Sequence, residues 1–138
     1  MHARVSYPVD LSSYSLLSRA AGQTMPMSSL SRYVESDYEG VHQVADGEVV
    51  FPLQAAVMLS RPNQDFEGGE FVMTEQRPRM QSRPLALSLR QGDAVVFATS
   101  YRPFKGSSGV YRVNLRHGVS RVRYGERMAL SIVFHDGE

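Results

Sequence analysis

The residues that could carry chemistry are few, because the chain has four histidines and no cysteine. Any metal site would have to use imidazole and carboxylate ligands rather than thiolates. His42 and His117 are separated by 75 positions, so only the fold can bring them together. His2 and His135 lie near the chain ends, where fraying disfavours a ligand role. A pair of distant histidines therefore favours a shared site over two unrelated core residues.

Alternation along two C-terminal segments predicts which side chains face the interior. In "YRVNLRHGV" the residues on the inward face are Tyr111, Val113, Leu115, His117 and Val119. The last segment places Arg127, Ala129, Ser131 and Val133 on one face, which is small and polar enough to form a pocket wall. Arg127 begins the strand that follows the one carrying His117, so its guanidinium is placed to pair with a carboxylate in a bidentate manner.

The elements that must position these residues are mainly strands. A single helix is predicted in "DLSSYSLLSRAAGQ", with Asp10 or Ser12 as its cap and Gly22 at its end. Strands are predicted at 29–34, 51–60, 69–76, 85–89, 93–99, 111–122 and 127–135, with Gly and Pro in the segments between them. Seven or eight short strands behind one helix predict a β sandwich, barrel or jelly roll.

Composition sets the broad class. With 138 residues, 42% hydrophobic and 21% charged, the chain fits one compact domain. Its apolar runs are too short to span a membrane and its first residues lack a signal sequence, so a soluble, cytoplasmic protein without a membrane partner is expected. Residues 77–127 hold eleven Arg or Lys against Asp93 and Glu126. We interpret this basic half as a solvated face rather than a nucleic-acid site, because aromatic residues are not expected to interleave with the arginines as a stacking platform would require.

Residues 22–136 resemble the Fe(II)- and 2-oxoglutarate-dependent oxygenases, in particular their prolyl-hydroxylase-like branch and a bacterial group of 2OG-Fe(II) oxygenases. The matching text is "HQVADGEVVFPLQ", "FEGGEF", "GDAVVF" and "RHGVSRVRYGERMALSIVFHD". Either glycine motif alone would be weak. The specific signal is their order together with a distal histidine that is followed ten residues later by an arginine.

The resemblance implies a mainly β fold, the double-stranded β-helix or cupin-like jelly roll, with a short N-terminal helix. It divides the chain into a helical segment at 1–24 and an oxygenase-like domain at 25–138. It also implies hydroxylase-type C–H oxidation coupled to decarboxylation of 2-oxoglutarate, with Fe(II), 2-oxoglutarate and ascorbate as candidate cofactors. The residues to which it assigns roles are His42 and His117 on iron, Arg127 on the far carboxylate of 2-oxoglutarate, and Tyr38 and Ser131 as further contacts to that cosubstrate.

One position departs from the family pattern. The family has Asp two residues after the first histidine, where this chain has Val44, and an alkyl side chain cannot bind iron. Asp46 is the expected replacement ligand if the chain turns sharply at Gly47; Glu48 or 2-oxoglutarate itself could also complete the site. The alternatives are a non-catalytic jelly-roll binding protein and a halogenase-type variant in which chloride takes the free position, although Val44 is bulky for that role.

The substrate is left open among a small molecule, a prolyl or other amino-acid side chain, and an alkylated base. Loops rather than shared motifs would select it. The two arginine-rich segments "EQRPRMQSRP" and "SYRPFKGSSG" are the predicted substrate-facing loops, and their charge favours an anionic partner.

Overall fold

The computed structural model describes residues 6–138 and begins with the predicted helix, α1 (Leu11–Ala20). Asp10 caps it, since the Oδ1 atom of Asp10 accepts a 2.7 Å hydrogen bond from the backbone N–H of Ser13. With ten residues α1 is short, and no helix within 6–138 is long and apolar enough to cross a membrane.

Eleven strands follow α1 in the described residues. They are β1 (Ser29–Tyr33), β2 (Glu39–His42), β3 (Leu53–Met58), β4 (Phe66–Gly68), β5 (Phe71–Gln76), β6 (Arg83–Leu87), β7 (Ala94–Ala98), β8 (Tyr101–Gly106), β9 (Gly109–Val119), β10 (Val122–Gly125) and β11 (Arg127–Val133). All seven segments predicted as strands overlap one of these elements, whereas β2, β4, β8 and β10 have no counterpart of their own in the prediction.

The strands form two antiparallel sheets that face each other. One has the order β1-β11-β3-β7, and the other has the order β2-β9-β5-β6 with β8 paired to β9. Strands β4 and β10 make a separate two-stranded ribbon. Strand neighbours that are distant in sequence, such as β2 and β9, are the mark of a jelly roll rather than a simple meander. The predicted mainly β jelly roll with a short N-terminal helix is confirmed.

The core lies between the sheets. Its main cluster combines Phe71 and Met73 of β5 with Phe97 of β7 and Leu115 of β9. The rings of Phe71 and Phe97 lie 5.1 Å apart and join the two sheets. The core ends at His117, whose ring lies 4.7 Å from that of Phe97. The residues singled out in the sequence therefore lie where the apolar core gives way to a cavity.

Candidate functional site

His42 and His117 lie side by side. Strand β2 pairs with β9 so that the two residues are directly opposite each other, and their ring centroids are 4.7 Å apart. Strand pairing therefore brings together two histidines that are 75 positions apart in the sequence.

A glycine next to His117 makes this approach possible. Gly118 faces the backbone of β2, and a Cβ at this position would overlap the carbonyl oxygen of Glu39 and lie 3.0 Å from Gly40. Any other residue would push β2 away from β9. The glycine in "RHGV" therefore sets the distance between the two histidines.

The surroundings of His117 keep it neutral. The side chain is 7% exposed, with the ring of Phe97 at 4.7 Å and that of Phe71 stacked at 6.0 Å. This burial, and to a lesser extent the neighbouring His42, lowers the pKa of His117 to about 4. A neutral imidazole at pH 7 is the form that can bind a metal ion.

Gln54 on β3 contacts the other side of the His117 ring. Its Nε2 atom is 3.3 Å from the Nδ1 atom of His117, and its buried Oε1 atom has no hydrogen-bond partner among the described residues. A half-turn of the carboxamide would let Oε1 accept a hydrogen bond from Nδ1–H, which would satisfy both groups. The Nε2 atom of His117 would then keep its lone pair for a ligand, as is usual for metal-binding histidines.

Arg127 is held at the base of the same region by the "FEGGEF" motif. Its side chain is 2% exposed, and its Nε donates a 2.8 Å hydrogen bond to the carbonyl oxygen of Gly69. Gly69 has a φ of +56°, and a Cβ there would lie 2.8 Å from the Cδ of Arg127. The second glycine of the motif is therefore required both by the turn and by the arginine packed against it.

Arg127 forms no direct ion pair within the described residues, although the Glu39 carboxylate lies close enough to act on its charge. The acidic groups that form ion pairs there pair with other bases, and the guanidinium of Arg127 faces the rings of Tyr33 at 5.4 Å and Phe66 at 6.0 Å. Burial lowers the pKa of Arg127 because it removes water from the charged form. A buried guanidinium without a carboxylate is costly, and a bound anion would offset that cost.

One cavity of about 210 Å³ connects these groups. The polar residues that line it include His42, His117, Arg127, Ser131, Glu39 and Tyr33. The volume is below the roughly 300–1,000 Å³ typical of sites for drug-sized ligands. The cavity therefore fits a compact ligand that carries a negative charge.

The remaining predicted residues are divided between the cavity and the surface. Ser131 lines the cavity, as does Val44. Tyr38 is 62% exposed, lies outside the cavity lining, and has its ring 5.1 Å from the guanidinium of Arg121. His135 is buried and accepts a 3.1 Å hydrogen bond from the backbone N–H of Phe51, which gives it a structural role. His2 lies outside the described residues.

The structure does not bring Asp46 to the histidines. The side chain of Asp46 is exposed and absent from the cavity lining. The chain does bend at Gly47, which has a φ of +98°, but the bend leaves the Asp46 side chain at the surface. The structure therefore gives no support to Asp46 as the replacement for the missing carboxylate.

Glu39 is a carboxylate at this site that sequence reasoning missed. Its Oε1 atom is 3.4 Å from the Nε2 atom of His42, and its Oε2 atom accepts a 3.0 Å hydrogen bond from the hydroxyl of Tyr33. Residues three apart on a regular strand face opposite sides, but the pairing of β2 with β9 is irregular between Glu39 and His42. The irregularity turns both side chains into the cavity, and strict alternation hides it.

The two imidazoles fit a shared metal ion. With metal–nitrogen bonds of about 2.1 Å, two histidines at neighbouring positions of an octahedron would have ring centroids roughly 4.5 Å apart. The observed 4.7 Å agrees with this spacing. Across 6–138, no three His, Cys, Asp or Glu side chains are already gathered as a metal site. Two ligands of a two-histidine, one-carboxylate site therefore fit, and Val44 does not supply the third.

The basic surface contains aromatic partners after all. The guanidinium of Arg77 lies 4.2 Å from the ring of Phe104, and that of Arg112 lies 4.4 Å from the ring of Tyr101. Both aromatic residues are on β8, which pairs with β9. The expectation that aromatic residues do not interleave with the arginines is wrong, because Tyr101 and Phe104 already alternate with Arg102 and Lys105 in the sequence, and the fold brings Arg77 and Arg112 against the same two rings.

Comparison with known proteins places this chain in a family. The model of the Oxygenase-NA family, described as "Oxygenase, catalysing oxidative methylation of damaged DNA", matches residues 1–137. Two uncharacterised proteins from two strains of Mycobacterium tuberculosis are each 44% identical over 130 residues, which cover 94% of this chain and 56% of theirs. The chain thus spans about half the length of these relatives.

Two solved structures share the fold. An oxidoreductase of the 2OG-Fe(II) oxygenase family from Burkholderia pseudomallei superposes with a TM-score of 0.55 and 23% identity, over 80% of this chain and 43% of the other. A prolyl-4-hydroxylase from Pseudomonas putida superposes with a TM-score of 0.53 and 16% identity, over 79% of this chain and 50% of the other. The resemblance identified in the sequence is confirmed, and the chain belongs to the Oxygenase-NA family with the fold of the 2OG-Fe(II) oxygenases.

Proposed function

We propose that the chain is an Fe(II)- and 2-oxoglutarate-dependent oxygenase that binds both cofactors in the cavity described above. The observation that supports this most strongly is the guanidinium of Arg127, which is buried, lacks a carboxylate partner among residues 6–138, and lines the same cavity as His42 and His117. A dicarboxylate with a keto acid at one end has the complementary chemistry for both ends of this cavity.

The distal carboxylate of 2-oxoglutarate would pair with Arg127. A planar guanidinium binds a carboxylate through two parallel hydrogen bonds, which fixes both distance and orientation. Ser131, four residues along the same strand, lines the cavity and offers a hydroxyl donor. The rings of Tyr33 and Phe66 flank the guanidinium and keep the pair away from bulk water.

The keto acid end would lie toward His42 and His117, the residues that would hold iron. Iron, when bound there, supplies the activation of oxygen that is coupled to conversion of 2-oxoglutarate into succinate and carbon dioxide. The chain positions the imidazoles through β2, β9 and Gln54, and it keeps His117 in its neutral form by burial. Phe71 and Phe97 line the cavity and exclude water from this end.

Val44 affects how well such a site would work. Its apolar side chain lines the cavity at the position where the family pattern has a carboxylate, so we expect weaker iron binding than a carboxylate at 44 would give. A jelly roll that binds 2-oxoglutarate without turnover is the alternative, and a halogenase-type variant would need room for chloride beside the valine methyl groups.

A nucleic-acid substrate is favoured by two observations. The family description names damaged DNA. The surface also carries Arg77 against Phe104 and Arg112 against Tyr101, and arginine with aromatic side chains is the combination that single-stranded nucleic acids bind. The substrate we propose is therefore a nucleic-acid base, one of the three substrate classes that the sequence leaves open.

Anaerobic calorimetry with 2-oxoglutarate and Mn(II)-loaded protein tests the pocket. The wild-type chain should bind, and Arg127→Met should weaken binding at least tenfold, because removal of one partner of a buried charge pair costs about 2–5 kcal/mol. Arg121→Met is the matched control, since Arg121 is exposed and outside the cavity lining.

Equal affinities of a folded Arg127→Met variant and the wild-type protein would remove the assigned pocket. Once binding is established, succinate formation with Fe(II) and oxygen separates an enzyme from a binding protein. Chlorinated product that depends on chloride would identify the halogenase-type variant.

A further inference from the structure

We propose that Glu39 supplies the carboxylate that is missing from position 44, so that the metal site consists of His42, His117 and Glu39. This inference rests on the proposed function, because it assigns the third ligand of the same metal ion. The third ligand would come from the N-terminal side of His42 instead of the C-terminal side. Any divalent first-row metal that accepts imidazole and carboxylate ligands, such as Fe(II), Mn(II) or Co(II), would fit this set.

The distance between Glu39 and His42 matches that expected for two ligands of one ion. With bonds of about 2.1 Å to nitrogen and oxygen, neighbouring ligand atoms in an octahedron are roughly 3 Å apart. The Oε1 atom of Glu39 lies 3.4 Å from the Nε2 atom of His42. Within 6–138 the three side chains are not yet gathered as a metal site. Binding would therefore have to move the Glu39 carboxylate, which is 38% exposed, by about 0.4 Å toward His42.

The orientation of the Glu39 carboxylate is also suitable. The hydroxyl of Tyr33 donates a hydrogen bond to Oε2, which leaves Oε1 directed at His42. The Nδ1 atom of His42 is 2.9 Å from the carbonyl oxygen of Gly40, so Nδ1 carries its proton there and Nε2 has the free lone pair. Both ligand atoms are therefore fixed by partners on their far sides, as is usual around metal ions.

The other nearby acidic groups do not compete for this role. Asp46 and Glu48 are exposed and lie outside the cavity lining. Glu39 lines the cavity with both histidines, and within 6–138 it forms no ion pair with Arg127, which is left for a ligand. The irregular pairing of β2 with β9 after Glu39 is the structural device that makes the substitution possible.

A simpler role for Glu39 is an ion pair with a protonated His42. The two roles differ in what they predict for metal binding. An ion pair would compete with a metal ion for His42, so removal of the carboxylate would leave metal affinity unchanged or increase it. A ligand role predicts the opposite.

The test is an anaerobic calorimetric titration of Co(II) and Mn(II) into the full chain without 2-oxoglutarate. Glu39→Gln should weaken metal binding at least tenfold, since the amide keeps the shape of the side chain and removes the anionic donor. Asp46→Asn and Glu48→Gln are matched controls and should change the affinity less than twofold. Val44→Asp introduced into the Glu39→Gln variant should restore binding, because it returns a carboxylate to the family position.

The Co(II) absorption spectrum gives a second readout that does not depend on affinity. It should shift when Glu39→Gln is compared with the wild-type protein at saturating Co(II), whereas Asp46→Asn, which changes an exposed carboxylate outside the cavity lining, should preserve the wild-type spectrum. Wild-type affinity and spectrum in a folded Glu39→Gln variant would overturn the proposal. If 2-oxoglutarate binds through Arg127 and the metal affinity is the same with and without the Glu39 carboxylate, only this inference fails. If metal binding depends on Glu39 but 2-oxoglutarate does not bind, the proposed function fails and this inference stands.

Discussion

At the scale of single residues, His117 links the site to the stability of the fold. Its pKa is about 4 in the folded chain, because of burial and the nearby His42, against an ordinary value of 6.5. The unfolded chain therefore binds more protons between pH 6.5 and pH 4. The stabilisation is complete above about pH 6.5 and is lost as the pH falls toward 4, by an amount on the order of 3 kcal/mol.

Urea unfolding of the metal-free chain between pH 7.5 and pH 4.5 measures this loss. We expect the free energy of unfolding to fall with pH in the wild-type chain and to fall less steeply in His117→Gln, which lacks the titrating group. His135→Gln controls for the other buried histidine, whose pKa is also lowered by burial. An identical pH dependence in wild-type and His117→Gln would show that residue 117 does not contribute.

Single residues were predictable where spacing or a motif marked them. His117 and Arg127 follow from strand alternation and from the resemblance, and the structure places both in the cavity. Glu39 was missed because an irregular strand pair reverses its side. Asp46 was chosen because Gly47 allows a turn, and the chain does bend there, but the bend leaves Asp46 exposed. No sequence motif marks Gln54, because its role is to contact the ring of His117, which lies 63 positions away in the chain.

At the scale of elements, the contact between β2 and β9 determines the site. A Cβ at Gly118 would overlap the carbonyl oxygen of Glu39, so Gly118→Ala should separate the two strands. We expect a loss of about 1–3 kcal/mol in the free energy of unfolding, together with weaker metal binding because His42 moves with β2.

Gly40→Ala is the matched control, because it lies on β2 and its added Cβ would meet no atom within 4 Å. Urea unfolding and metal titration of both variants make the comparison. Wild-type stability and affinity in Gly118→Ala would mean that β2 tolerates a wider spacing than the structure indicates.

Long, regularly alternating strands were predicted well, and short or irregular ones were not. The segment 127–135 corresponds to β11 and 111–122 to β9. The segment "SYRPFKGSSG" was expected to be a loop, but Tyr101–Gly106 forms β8. Its Pro103 is tolerated because β8 pairs only with β9 and is an edge strand, where a missing N–H does not break a ladder.

At the scale of the whole molecule, the distribution of charge predicts affinity for nucleic acid. Fluorescence anisotropy with a labelled single-stranded oligonucleotide should show binding whose logarithm falls linearly with the logarithm of salt concentration. Arg77→Gln and Arg112→Gln should each lower the slope by about 0.7, the value for one phosphate contact on a single strand. Arg32→Gln is the control, because Arg32 already pairs with Glu126 at 2.7 Å. An affinity for the oligonucleotide that does not change with salt concentration, or the lack of any binding at low salt, would refute the nucleic-acid substrate.

The jelly-roll fold could be predicted from the sequence. Many short strands with Gly and Pro between them allowed a sandwich, a barrel or a jelly roll, and the ordered motifs selected the last of these. Which sheet each strand joins was not predictable, because the contacts that decide it, such as Phe71 with Phe97, lie between residues far apart in the chain.

The central claim is that two distant histidines and a buried arginine form one pocket for a metal ion and a dicarboxylate. A crystal structure of the chain grown anaerobically with Mn(II) and 2-oxoglutarate tests this most directly. We expect one metal ion at about 2.0–2.2 Å from the Nε2 atoms of His42 and His117, with the distal carboxylate of 2-oxoglutarate paired with Arg127. Metal bound elsewhere, or a cosubstrate that leaves the guanidinium of Arg127 unpaired, would contradict the claim.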